Sequence, residues 1–284
     1  MRLQLLVTWT TVPTFGPDAY RYMLAGDGQR VARPFNLRWL LPLVCRTSIR
    51  RWWFVWALSW PVAATGAFLW ARGTGMAVWP SAAVAGLLLG LPGCLGPKVA
   101  RPVQVDMPAM AVGLLAAACW VHGLTVPAVV LTAVAAAMKE TSPVWVALWC
   151  WSPWPLLALV VPAVTALVRK PELDPVTARP LLRHVHDHPV RSALEHHAGR
   201  WRDAWLWVAP WGATVAALVP PNLQTVVTLV VAHAQMLVAT DTVRLLATTA
   251  GPVMALAAAQ HIPSTWLLLA VVVNLVWWRK PELV

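Results

Sequence analysis

The sequence predicts an all-α, polytopic transmembrane helical bundle, and three observations predict it. Hydrophobic residues make up 59% of the 284-residue chain and charged residues only 12%, against roughly 25% charged in soluble domains. Long apolar runs recur at near-regular intervals, without the alternation that barrel strands require. Many of the 20 tryptophans sit at the ends of those runs, as at Trp52-Trp53, Trp79, Trp201, Trp205 and Trp277-Trp278, where amphipathic rings settle at headgroup level. The 25 prolines are tolerated in such a bundle where neighbouring helices satisfy the freed backbone groups. The chain therefore reads as one transmembrane domain, 1–284, of about nine or ten spans in the cell (plasma) membrane.

The formal net charge is +11 and mean hydropathy +0.62. Because the basic residues occupy short polar gaps between apolar runs, they point to membrane lipids or a phosphorylated lipid as partners, with no nucleic acid. Cys45, Cys94, Cys119 and Cys150 are scattered, without Cys-x-x-Cys spacing, and read as small buried hydrophobes.

Taken in order, residues 1–16 are apolar but shorter than the ~20 needed to span, so they predict a short or tilted first span. Residues 17–51 are a dense polar stretch. Asp18–Ala25 predicts a short interfacial helix ended by Gly26-Asp27-Gly28, and Pro34 and Pro42 frame a second. Apolar runs then predict spans near 52–72, 76–93, 107–121, 124–138, 143–168, 204–220, 222–240, 242–259 and 263–278, with Pro153 and Pro155 able to break 143–168. The longest later polar gap, 169–203, is rich in arginine. Arg-Lys-Pro-Glu-Leu occurs at 169–173 and again at 279–283, as if both followed spans ending on one side.

Span parity then assigns sides. If 17–51 faces one compartment, the gaps containing Asp106 and Lys139-Glu140 face it too. Asp18, Asp27, Asp106 and Glu140 would converge on one face. Basic residues are shared almost equally between the faces, so the positive-inside rule barely discriminates. That balance is expected if the arginines of 17–51 serve a bound anion. The 17–51 loop is accordingly placed outside the cytoplasm, with the 169–203 loop and both termini cytoplasmic.

The motifs carry a resemblance. Asp18-Ala19-Tyr20 followed by Arg33-Pro34-Phe35-Asn36-Leu37-Arg38-Trp39-Leu40-Leu41-Pro42 resembles the first extracytoplasmic loop of GT-C-type integral membrane glycosyltransferases. Val105-Asp106-Met107-Pro108-Ala109 resembles their second acidic loop, and Lys139-Glu140-Thr141-Ser142-Pro143 the Lys-Glu turn of bacterial members. The resemblance implies transfer of a sugar from a polyprenyl-phosphate donor to a glycan or protein acceptor at the extracytoplasmic face. It implies Asp18 as general base or metal ligand, with Asp106 as a second metal ligand and a divalent cation, Mg or Mn, as the cofactor. Asp18, Asp106 and Glu140 are the expected catalytic acids. Tyr20, Tyr22, Asp27, Arg30, Arg33, Arg38 and Lys139 are the expected substrate-binding residues.

The residues support that chemistry without the family. Departure of a glycosyl phosphate builds negative charge that arginines can hold in forked contacts, while a carboxylate deprotonates the acceptor hydroxyl. Simpler roles exist for the same residues: Asp106 and Glu140 as helix-capping acids, Lys139 at a helix C-terminus, and the arginines on lipid headgroups. His184, His186 and His188, with His196-His197 nearby, read as part of a solvated basic loop rather than a zinc site. Asp241 and Arg244 read as an ion pair one helical turn apart. The alternative function is a transporter or flippase of a lipid-linked or anionic solute. Transporters usually place binding groups near the bilayer midplane in repeated halves; here the charges fall at span ends.

Overall fold

The computed structural model describes residues 17–91, 94, 103–170, 210–235 and 242–277; the side chains of Pro17, 242–244 and Trp277 are excepted. Every regular element among them is helical. The predicted first span at 1–16, the histidines of 184–197, Asp241 and the second Arg-Lys-Pro-Glu-Leu lie outside the described residues.

Helix α1 (Pro17–Gly26) is followed by a single 3-10 turn at Phe35–Leu37 and by α2 (Leu40–Cys45). The long α3 (Ile49–Gly73) starts where the Ser48 hydroxyl accepts from the Arg51 amide, satisfying one of the orphan donors of the first turn. Next come α4 (Val78–Leu89), α5 (Asp106–Val121) and α6 (Thr125–Met138). Helix α7 (Ser142–Cys150) leads into a 3-10 segment, Trp154–Leu159, and α8 (Val160–Val168). After a 3-10 segment at Gly212–Leu218 the chain forms α9 (Leu223–Ala234), α10 (Thr242–Thr249), α11 (Gly251–His261) and α12 (Leu267–Trp277).

The main core lies among α3, α4, α5, α7 and α11, where Trp70, Leu87, Leu114, Trp149 and Met254 are buried. Pairing of α3 with α5 is the most extensive helix contact, and Gly66 makes it possible. A Cβ there would stand 2.9 Å from Leu114 Cβ and 2.9 Å from the Leu115 amide nitrogen, so any side chain would force the helices apart. Asn274 of α12 ties three elements together: its Oδ1 accepts from the Ala213 amide at 2.6 Å and its Nδ2 donates to Leu87 O at 2.9 Å.

Among the described residues, Ile49–Gly73 is the one helix long and apolar enough to cross a membrane; six other apolar segments are 10–17 residues long. Large apolar side chains are nonetheless exposed on several of the shorter helices, including Val126, Val130, Leu167, Val230 and Leu269.

The apolar run 143–168 is not one continuous helix. Helix α7 ends at Cys150, with Trp151 in the left-handed conformation at φ 50°. The broken end is satisfied from outside: Gln224 Nε2 donates to Leu148 O at 2.8 Å and Trp149 O at 3.0 Å. Helix α8 then returns to the 17–48 segment, where Asn36 Nδ2 donates to Arg169 O at 2.8 Å. A single span would have carried Arg169 to the opposite end of the bundle. The prolines at 153 and 155 remove amide donors where a continuous helix would need them, so the break falls where they were expected to allow one, and the return to the 17–48 segment replaces the expected crossing.

Candidate functional site

The polar stretch at 17–48 is built around an apolar core of its own. Ala19, Tyr22, Met23, Leu24, Phe35 and Leu41 are buried with Trp52, Val103 and Val105. Helix α1 presents Ala19, Tyr22 and Met23 at helical spacing, and the Tyr22 and Phe35 rings meet edge-on at 5.1 Å and 67°. The Arg21 and Arg38 guanidinium groups lie 5.2 and 5.7 Å from the centre of the Phe35 ring, a distance at which the ring face attracts a cation.

Two ion pairs join this segment to the bundle and the helices of the bundle to one another. Arg38 grips Glu140 with both prongs, Nε to Oε2 at 2.8 Å and Nη2 to Oε1 at 2.8 Å, while its Nη1 donates to the Tyr22 hydroxyl at 2.9 Å. Burial alone would raise the Glu140 carboxyl; the Arg38 charge and its hydrogen bonds overcome that and hold it below the usual carboxylate range. Burial likewise opposes the charge on Arg38, yet Glu140 and Tyr22 keep it firmly protonated. Tyr22 is pushed well above the ordinary phenol range, burial outweighing the opposing charge of Arg38. Nearby, Lys139 Nζ donates to Asp106 Oδ1, with the two side chains 6% and 8% exposed. Asp106 opens α5 and Lys139 follows the end of α6, so this pair fastens the two helices together at one end.

The other expected site residues divide between two places. Asp18 accepts from Arg21 Nη1 at 3.2 Å, and its side chain is 39% exposed. Both Asp18 and Asp106 act electrostatically on Tyr22, which sets them around one group of residues. Tyr20 is half-buried against the loop's apolar core. Asp27 and Arg30 face instead into a cleft of about 830 Å³. Arg33 is exposed and is not among the residues lining that cleft. Arg38 was expected to hold phosphate; its donors are instead directed at Glu140 and Tyr22.

Asp18 and Asp106, the expected metal ligands, are each engaged by a cation of the chain itself, an arrangement poorly matched to a divalent ion. Among the described residues no group of three His, Cys, Asp or Glu could hold a metal.

The cleft lies between the 25–47 segment and the end of α8. It is lined by Arg30, Arg46, Arg169 and Lys170, with Asp27 the one carboxylate among its lining residues. Arg169 is set in place by its carbonyl contact with Asn36 and by its guanidinium, 5.6 Å from the centre of the Trp39 ring. Arg46 is brought up to α1 by Gly26, where a Cβ would stand 2.7 Å from Arg46 Cα. Reasoning from sequence missed Arg169, Lys170 and Asn36 as site residues, and it placed Arg46 only among the arginines of 17–51 expected to serve a bound anion. Arg46 stands in the same basic stretch and Asn36 within the quoted motif, but span parity assigned Arg169 and Lys170 to the other face. Comparison with family models, curated proteins and solved structures returns no match to this chain.

Proposed function

We propose that the chain is a multi-pass membrane glycosyltransferase that transfers a sugar from a polyprenyl-phosphate donor to an acceptor at the extracytoplasmic face. The observation that carries this reading is a cation-lined cleft with one accessible carboxylate, Asp27, in its wall, built on the same polar segment as the accessible Asp18. The multi-pass reading is supported by the exposed apolar side chains on short helices, which lipid would cover at no desolvation cost.

The roles divide by exposure and partner. Arg38–Glu140 and Lys139–Asp106 hold the scaffold, because each of these carboxylates is paired and little exposed, at 18% and 8%, whereas the paired Asp18 side chain keeps 39% of its surface exposed. Asp18 and Asp27 remain accessible to a substrate hydroxyl. Asp18 stays the first candidate base on the loop resemblance, and Asp27 becomes the second because it lines the cleft. The base takes the proton of the acceptor hydroxyl as its oxygen attacks the anomeric carbon. Cleft cations stabilise the phosphate as the glycosyl–oxygen bond breaks. The residues do not favour a metal, and no step is routed through one. The transporter reading lacks a comparable observation, since the charges lie at helix ends rather than at the middle of broken helices.

The test is transfer from a polyprenyl-phosphate sugar by the purified full chain in lipid nanodiscs. Asp18→Asn is expected to reduce turnover at least 100-fold, and Asp27→Asn identifies the base if Asp18→Asn does not. Full turnover in both variants, or none in the native chain with any such donor, overturns the proposal.

A further inference from the structure

We infer that the cleft between Asn36 and Arg169 is a binding site for a phosphorylated sugar or polyol, with its cations on the phosphate and Asn36 on a ligand hydroxyl. The inference deepens the glycosyltransferase reading by naming the site of the phosphate, but its geometry stands without transfer chemistry. Two independent observations carry it.

The first is charge. Arg30, Arg46, Arg169 and Lys170 line one cleft, and among the described residues Asp27 is the one carboxylate lining it with them. Asp27 accepts from Gln29 Nε2 at 3.3 Å, while none of the four cations has an ion-pair partner among the described residues. Four cations beside one carboxylate leave an excess of like charge whose repulsion an anion between them relieves. Guanidinium forks with an ammonium suit phosphate oxygens. The scaffold also spends a buried side chain on keeping Arg169 there: Asn36, 5% exposed, holds its carbonyl, and Trp39 lies beneath its guanidinium.

The second is an orphan acceptor. Asn36 lines the cleft, its Nδ2 is used on Arg169 O, and its Oδ1 is buried with no hydrogen-bond partner among the described residues. A buried acceptor left unsatisfied is costly. Phosphate dianions have no proton to offer it, whereas a sugar hydroxyl does. The pair of needs, anion on the cations and donor on Asn36, is met by one ligand bearing both groups. About 830 Å³ accommodates a hexose phosphate. Leu43 and Val168 also line the cleft and are exposed, so the phosphate can arrive free or on an isoprenoid.

Binding to the full chain in nanodiscs is measured by calorimetry with inorganic phosphate, hexose 1-phosphate and farnesyl phosphate. Hexose 1-phosphate is expected to bind about tenfold more tightly than inorganic phosphate, one satisfied buried acceptor being worth about that factor. Arg46→Gln and Lys170→Gln, both surface changes, are each expected to weaken both ligands about tenfold; Arg72→Gln, remote from the cleft, is expected to change neither. Farnesyl phosphate binding more tightly than inorganic phosphate assigns the ligand to a lipid; equal binding assigns it to a soluble sugar phosphate. Absence of binding by all three, or binding indifferent to Arg46→Gln and Lys170→Gln, overturns the inference. Cleft-dependent binding without sugar transfer keeps the site and removes the enzyme; transfer indifferent to the cleft variants does the reverse.

Discussion

Replacing Glu140 by Gln tests whether the Arg38–Glu140 pair latches the polar loop to the bundle. Gln keeps the shape and one acceptor but removes the charge, so Arg38 faces an amide oxygen, the Tyr22 hydroxyl and the Phe35 ring where it had a bidentate carboxylate. An exposed pair contributes about 0–1 kcal/mol, and breaking a fully buried one costs about 3–5 kcal/mol. The two side chains are 16% and 18% exposed and the contact is bidentate at 2.8 Å, so about 2–3 kcal/mol is expected. That corresponds to a melting temperature lower by roughly 5–10 °C in thermal unfolding. Removing both charges in Arg38→Gln/Glu140→Gln is expected to recover part of the loss, because no unpaired charge is then buried. The pH dependence has a defined sign. The folded-state Glu140 carboxyl lies below its unfolded value, so its stabilisation is complete above about pH 4.3 and is lost as pH falls through the lower folded-state value. The gap between the native chain and Glu140→Gln therefore closes on acidification. Equal melting at neutral pH, or a gap that widens in acid, refutes the latch.

Lys139→Met takes the ammonium away from the buried Asp106 carboxylate and is expected to cost about 3–5 kcal/mol; adding Asp106→Asn recovers at least half, read by thermal unfolding. Tyr22→Phe loses the Arg38 contact, with an expected cost of about 1 kcal/mol. Because Tyr22 is held above the ordinary phenol range, the difference spectrum between the native chain and Tyr22→Phe shows no phenolate absorbance at pH 11 while the fold persists. Gly66→Ala drives a methyl into the α3–α5 contact and is expected to cost about 1–3 kcal/mol by overpacking, measured as a lower melting temperature with the helix content unchanged.

Composition and apolar periodicity predicted helices, and the described residues are helical. The convergence of Asp106, Lys139 and Glu140 with the early loop followed from where the apolar runs end, because a helix hairpin returns its two ends to one level. Which acids would be occupied was not legible. Arg38 and Glu140 are separated by more than a hundred positions, and pairing at that range is set by tertiary packing rather than by local pattern. Nor did the polar appearance of 17–48 disclose its apolar core. Tyr22, Met23, Phe35 and Leu41 are too few and too irregularly spaced to produce a recognisable run, yet they close over Trp52 and Val105.

The assignment of Arg169 failed for a different reason, and its correction reshapes the site. Parity counts an apolar run as one crossing whatever its internal structure. The 143–168 run has enough residues for one crossing, but Pro153 and Pro155 interrupt its hydrogen bonding and Gln224 satisfies the broken end. Once α7 and α8 are separate elements, α8 can return Arg169 and Lys170 to the loop. They then line the cleft with Arg30 and Arg46 and shift positive charge toward the end that holds Asp18 and Asp27. Two residues changing sides leave the overall division of basic residues near-equal; what changes is how many of them meet at one cleft. Clustering of four cations about one cleft is what the proposed anionic ligand requires, and that clustering depends on where α8 ends, which span counting does not read.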